Sequence, residues 1–197
     1  MSKHSLSFDP QRHEYRLNGN LVPSVTQIVR AVIPRQFEPD PWYLQRGSMV
    51  HKAVALMLCG ELDWASVDER ILPRVRAAQA YWQQNVNRIC PLNSVSDTWL
   101  IEIEKPGCHA PLGFAGTPDL RVGAALLDWK SSAEPEAEAQ LGGYVHFYPP
   151  RTIRTCICVE LRDDGTYRET CYDARRCAAL FLNVLTVYQW MNKHGRL

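Results

Sequence analysis

Apolar positions along this chain alternate near the N-terminus, shift to a helical repeat, and return twice to strand-like runs. From residue 6 to 22, Phe8, Tyr15, Leu17 and Val22 flank Asn18-Gly19-Asn20, and Asn-Gly is a strong signal for a β-hairpin turn. Ser24 is placed to cap a short helix through Val32, which Pro34 ends. A helix is expected from Trp42 to Leu58, with Leu44, Met49, Val50, Ala53, Val54 and Met57 at helical spacing. A second amphipathic segment, 68–86, carries Ile71, Val75, Ala78, Tyr81 and Trp82, with a start or kink at Pro73. Residues 99–105 alternate as a strand. Val122 and the run Ala124 to Leu127 are apolar enough for buried strands. Residues 135–148 form a helix stopped by Pro149-Pro150, with proline suited to its first turn. Its adjacent Gly142 and Gly143 each cost ~1 kcal/mol against alanine, so a close packing partner is expected there. Residues 154–160 and 166–172 make a hairpin around Asp163-Asp164-Gly165, and Asp173 caps a last helix to about Lys193. After the first hairpin the order is helices, three strands, helix, two strands, helix. That order implies an α/β fold with a mixed central sheet flanked by helices.

The chain's 197 residues suffice for one domain with a buried core. No apolar run approaches the ~20 residues of a membrane helix, and Met1-Ser2-Lys3-His4-Ser5 lacks an apolar signal core. A cytoplasmic protein is therefore expected. A net charge of +1 gives no global basic footprint, which counts against a passive DNA-coating protein. The seven cysteines, odd in number and without a secretory signal, are expected to be reduced and buried.

The chemistry concentrates in Gly116-Thr117-Pro118-Asp119 and Leu126-Leu127-Asp128-Trp129-Lys130. Side chains on a strand alternate between faces, so Asp128 and Lys130 share one face and Trp129 takes the other. Two aspartates and a lysine make a site for a hard divalent cation, Mg²⁺ or Mn²⁺. Such a cation lowers the pKa of a water, and the lysine can orient that water or stabilise charge on a phosphate oxygen. A D-x-K triplet alone is common and also reads as a surface ion pair; the upstream Pro-Asp, the short gap and the apolar run favour a functional site. Gln140 and Tyr144 lie four apart on one helix face. The glutamine could bond a phosphate or water, and the tyrosine could contact a phosphate or stack on a base; a packed helix face is the plainer alternative. Ser24 and Thr26 could offer hydroxyls to a phosphate at a helix start, although capping alone explains Ser24. Arg30, Arg35, Arg46 and Lys52 are candidates for phosphate contacts, with solvated surface charge the commoner role.

These segments resemble the PD-(D/E)xK nuclease superfamily, and in particular its RecB-like, phage-type exonuclease branch. Gly47-Ser48-Met49-Val50-His51 resembles the branch's G-x-x-x-H helix, which makes His51 a metal ligand; a core histidine is the alternative. Glu104 stands where the branch carries an acidic residue, with Glu102 on the same strand face as fallback. Gln140 to Tyr144 resembles the Q-x-x-x-Y helix. His13-Glu14-Tyr15 with Pro23-Ser24-Val25-Thr26 resembles the opening of phage and mitochondrial single-strand exonucleases. The likeness runs from about Phe8 to Tyr144.

The resemblance implies a restriction-endonuclease-like core and a metal-dependent DNA exonuclease. In it Asp119 and Asp128 bind Mg²⁺ or Mn²⁺ with His51, the main-chain carbonyl of Trp129 and Glu104. Lys130 activates water, while Gln140 and Tyr144 position substrate. Ser24, Thr26, Arg46 and Tyr144 are the DNA contacts. One nuclease domain is expected over 1–197: an N-terminal hairpin and helices over 6–90, a catalytic core over 97–150, and a C-terminal hairpin and helix over 151–193. Some relatives hold an iron–sulfur cluster. Here no cysteine precedes the Gly47–His51 segment, and the spacing of Cys156, Cys158, Cys171 and Cys177 argues against one. Related phage and prophage enzymes work in recombination or replication in a bacterial host cytoplasm, beside a single-strand annealing or binding protein. Both trimers and monomers occur among them. A structure-selective or restriction-type endonuclease, or a non-catalytic DNA-binding module, are the alternatives.

Overall fold

Local signals account for most element boundaries. In the computed structural model, which describes residues 4–34, 40–89, 101–132 and 136–197, Ser24 closes a capping box with Gln27: each side chain bonds the other's main-chain N–H. That cap starts α1 (Val25–Val32). Ahead of it, residues 6–22 are not one hairpin but a three-stranded antiparallel sheet, β1 (Leu6–Asp9), β2 (Glu14–Leu17) and β3 (Asn20–Val22). Asn18 and Gly19 both take positive φ in the β2–β3 turn, as a two-residue turn of type I′ demands. The turn signal was legible there; the β1–β2 turn, which contains no glycine, was not.

Asp40 caps α2 (Pro41–Cys59), and Gly60 ends it in the left-handed conformation. After a single 3₁₀ turn (Trp64–Ser66), α3 spans Leu72–Ile89, with Pro73 in its first turn. Strand β4 is Ile101–Ile103, and the rest of the expected strand 99–105 lies partly outside the described residues. An unexpected small hairpin follows, β5 (Gly107–His109) and β6 (Phe114–Gly116), joined by a 3₁₀ turn at Ala110–Leu112. Then come β7 (Leu120–Val122), β8 (Ala125–Lys130), α4 (Glu136–Val145), β9 (Thr155–Leu161), β10 (Tyr167–Asp173) and α5 (Ala174–Lys193), which Asp173 caps.

The central sheet runs β10-β9-β8-β7-β4, parallel between β8 and β9 and antiparallel elsewhere. This is the mixed sheet that the order of elements implies. Strand β8 is buried along almost its whole length, and so it reads as a continuous apolar run. Its side chains divide between two cores. Leu126 joins Val29, Leu141, Tyr144 and Phe181 on the α1–α4–α5 side, while Leu127 and Trp129 join Val54, Val75 and Tyr81 on the α2–α3 side. By the same alternation Asp128 and Lys130 face α4. Among the described residues no helix is long and apolar enough to cross a membrane.

Helix α4 packs tightly against its neighbours, as its paired glycines imply. A Cβ on Gly142 would lie 2.0 Å from the Cys177 carbonyl oxygen of α5, and one on Gly143 would lie 2.6 Å from the Val25 side chain of α1. The first obstacle is main chain and cannot rotate away. Gly142→Ala is therefore expected to destabilise the fold by ~3 kcal/mol, the upper end of overpacking costs, and Gly143→Ala by less. Urea unfolding of the two variants checks the order; equal stability of Gly142→Ala and wild type would refute this packing.

Candidate active site

Two carboxylates are withdrawn from water where the helical layers meet the sheet's end. Asp119, just before β7, is 7% exposed, and Asp128, near the end of β8, is 0% exposed. Each has dedicated partners. Asp119 Oδ2 accepts the Trp129 main-chain N–H at 2.8 Å, and its Oδ1 lies 3.2 Å from His51 Nδ1. Asp128 Oδ2 pairs with Lys130 Nζ at 2.9 Å. Gln140 bridges the set: its Oε1 accepts from Lys130 Nζ at 2.8 Å, and its Nε2 donates to Asp128 Oδ1 at 3.3 Å and to the Tyr144 hydroxyl at 3.0 Å.

The third carboxylate arrives by a backbone irregularity. Glu104 follows β4 with φ 45°, a left-handed conformation rare outside glycine, and its N–H donates to the Asp119 carbonyl at 3.0 Å. The expectation that Glu102 and Glu104 share a strand face is thereby corrected, because the strand ends at Ile103. Glu102 instead pairs with Lys105 and, at 3.2 Å, with Arg121. Ligand atoms of His51, Glu104 and Asp119 all lie within 4.8 Å of one another. Such a set of two carboxylates and an imidazole can hold a divalent cation, with oxygen-rich chemistry suited to Mg²⁺ or Mn²⁺. Asp128 lies outside that triplet but close enough to be felt by it electrostatically.

Burial and the close charges together shift every one of these groups. Withdrawal of its carboxyl from water, with Asp119 and Asp128 nearby, pushes Glu104 up to about 8, although the residue as a whole keeps solvent contact. Burial and the Asp119 charge push Asp128 up to about 6 against the pull of Lys130. Burial would lower His51, but the charge and hydrogen bond of Asp119 prevail and raise it to about 9. Burial would raise Asp119, but His51, Lys130 and the Trp129 N–H hold it below its ordinary value. Lys130 is raised: burial would lower it, and Asp128 and Asp119 outweigh that.

The remaining predicted residues fare differently. Ser24 is buried and its Oγ accepts the Gln27 N–H, so in this conformation it serves as the α1 cap. The Tyr144 ring is buried, and its hydroxyl is held by Gln140 and the Thr26 side chain. Base stacking on that ring is thus excluded in this conformation, and Thr26 is turned to Tyr144. Arg46 stands over the Tyr43 ring, 4.7 Å to its centroid, and 3.5 Å from Asp163. Asp163 is held chiefly by the buried Arg74, which also bonds the Ser131 and Leu161 carbonyls. Arg30 and Lys52 are exposed, and Arg35 lies outside the described residues. Trp129 brings its main-chain N–H to the site, a contact the side-chain pattern did not predict. A main-chain donor leaves no mark in a side-chain pattern, and neither did Arg74. Cys59, Cys108, Cys156, Cys158, Cys171 and Cys177 are free thiols, and Cys90 lies outside the described residues.

No protein-family model matches this chain, and no curated protein does. Among solved structures, an alkaline exonuclease from Laribacter hongkongensis aligns over 85% of this chain and 91% of its own, at 12% identity and a TM-score of 0.40. The likeness is distant.

Proton linkage yields a direct test. His51 has a folded pKa above its unfolded value, so its contribution is complete below about 6.5 and is lost as pH rises through about 9. Glu104, also raised, acts in the same direction from about 4.5 to about 8. In EDTA the unfolding midpoint should fall between pH 6.5 and 9, and less steeply in His51→Gln and in Glu104→Gln. A flat wild-type profile across that window would contradict the charge arrangement.

Proposed function

We propose that this protein is a metal-dependent deoxyribonuclease that hydrolyses phosphodiester bonds, acting as an exonuclease. The observation that carries the reading is the convergence of His51, Glu104 and Asp119 beside a buried Asp128–Lys130 pair. The donor set fits a hard divalent cation. Burial and mutual repulsion raise Glu104 and Asp128, and added positive charge relieves the repulsion. His51, Glu104, Asp119 and Asp128 would hold the ion, with the Trp129 carbonyl as a further donor. When bound, Mg²⁺ or Mn²⁺ supplies a Lewis acid for the phosphate and a more acidic water.

The chain's own residues do the rest. Asp119 stays anionic because His51 and the Trp129 N–H favour its charged form. Lys130 is held cationic by Asp128 and Asp119, and Gln140 fixes its ammonium. That ammonium orients the attacking water and stabilises charge developing on a phosphate oxygen. Tyr144, held by Thr26 and bonded to Gln140, acts on this array from behind. Arg46, where α2 passes Asp163, contacts the DNA backbone once released from that ion pair. Exonuclease action follows from the sequence resemblance. So does work in phage or prophage recombination or replication, in a bacterial cytoplasm beside a single-strand annealing or binding protein.

End-labelled linear single- and double-stranded DNA beside a covalently closed circle, with Mg²⁺, Mn²⁺ or EDTA, tests the reading. Linear DNA should be lost only with metal, and the circle should persist. Cutting of the circle would establish an endonuclease, and DNA binding without cleavage under any metal would establish a binding module. Lys130→Ala and Asp119→Asn should each reduce the rate by ~10²- to 10³-fold, the scale set by removal of one charge-stabilising group. A folded variant of either with the wild-type rate would refute the assignment. Gln140→Ala should cost less, ~10-fold to 100-fold, because it acts by positioning Lys130 and Asp128.

A further inference from the structure

The N-terminal sheet reaches the candidate metal cluster through one buried hydroxyl. Tyr15, on the middle strand β2, is 1% exposed, and its ring stacks on Phe8 of β1 at 4.6 Å. Its hydroxyl lies 2.8 Å from Thr117 Oγ1, a contact between residues 102 apart in sequence. Thr117 sits two residues before Asp119 in the β6–β7 loop. The same tyrosine lies near enough to Glu104 for that carboxyl's charge to act on it. Glu104 in turn donates its N–H to the Asp119 carbonyl. One side-chain bond therefore ties a separate sheet to the loop that presents one candidate ligand and lies beside another. Packing against Phe8 needs only the ring; a phenylalanine would serve. The hydroxyl has its polar partner in the site loop, and a buried hydroxyl without a partner would cost free energy.

We propose that Tyr15 is a positioning residue of the metal cluster: through Thr117 it fixes the loop that sets Asp119 at its distance from His51 and Glu104. This rests on the reading that these residues hold a divalent cation. Thr117 is the intermediary, and its hydroxyl, not its methyl, carries the effect. Tyr15 touches neither metal nor substrate.

The test is Mn²⁺ binding to EDTA-stripped full-length protein, followed by electron paramagnetic resonance, with urea unfolding alongside. Tyr15→Phe should weaken Mn²⁺ binding ~10-fold, the lower end for loss of a group that orients metal ligands, while the folded protein persists. Thr117→Val should match it, the double variant should be no weaker than either single one, and Thr117→Ser should bind as wild type does. Wild-type affinity in folded Tyr15→Phe and Thr117→Val would overturn the proposal and leave the metal reading standing. An unfolding midpoint lowered with unchanged affinity would also overturn it, since that is a purely structural role. No Mn²⁺ binding by the wild type itself would overturn the metal reading, and this proposal with it.

Discussion

Two carboxylates held out of water, Asp119 and Asp128, set the terms for everything around them. An ionised carboxylate loses a large hydration free energy on burial and persists only with charge partners and hydrogen bonds. The fold supplies these from every direction. His51 comes from α2, the Trp129 N–H from β8 itself, Lys130 from the end of β8 and Gln140 from α4. Glu104 brings a third carboxyl to a place already rich in them, in a backbone conformation that glycine would adopt more readily. Strain of this kind persists only where the surrounding structure over-determines it, and it concentrates at functional sites.

The two cores explain how one strand can serve both stability and chemistry. Trp129 and Leu127 bind β8 to α2 and α3, while Asp128 and Lys130 turn to α4. The layer that carries His51 and the layer that carries Gln140 therefore lie on opposite faces of the sheet, and the site draws on both. Helix α4 can bring Gln140 and Tyr144 into place because Gly142 and Gly143 let α5 and α1 approach without a Cβ in the way. The helix propensity lost at those glycines is the counterpart of that close approach.

The polar neighbours of the site divide by what they touch. Ser24 and Thr26, close in sequence, go to different tasks: one caps α1, and the other steadies Tyr144. Arg46 and Arg74 converge on Asp163 at the β9–β10 turn, so that a buried cation and an exposed carboxylate clamp the turn near the end of β8. Tyr15 joins the N-terminal sheet to the β6–β7 loop. Apart from the Ser24 cap, each of these links spans a long stretch of chain.

Period and punctuation were enough for the architecture. The apolar run of β8, the helical spacing of α2 and α5, the Asn18-Gly19 turn and the Asp173 cap are local properties, and local properties are legible in a sequence. The shared face of Asp128 and Lys130 follows from strand geometry alone, as does that of Gln140 and Tyr144 from helix geometry. What could not be read was whatever depended on the third dimension. The β5–β6 hairpin and the β1–β2 turn carry Pro111, Gly113 and Asp9-Pro10, but the strands they join are too short to show a period. The choice of Glu104 over Glu102 hangs on a left-handed residue after β4 and on Arg121 across the sheet. The burial of Tyr144, the Trp129 N–H on Asp119 and the Tyr15–Thr117 bond arise only when distant segments pack. A sequence records which side chains are available at each turn of the chain. Tertiary packing decides which buried polar groups meet, because a desolvated donor or acceptor must find its partner wherever the fold brings one.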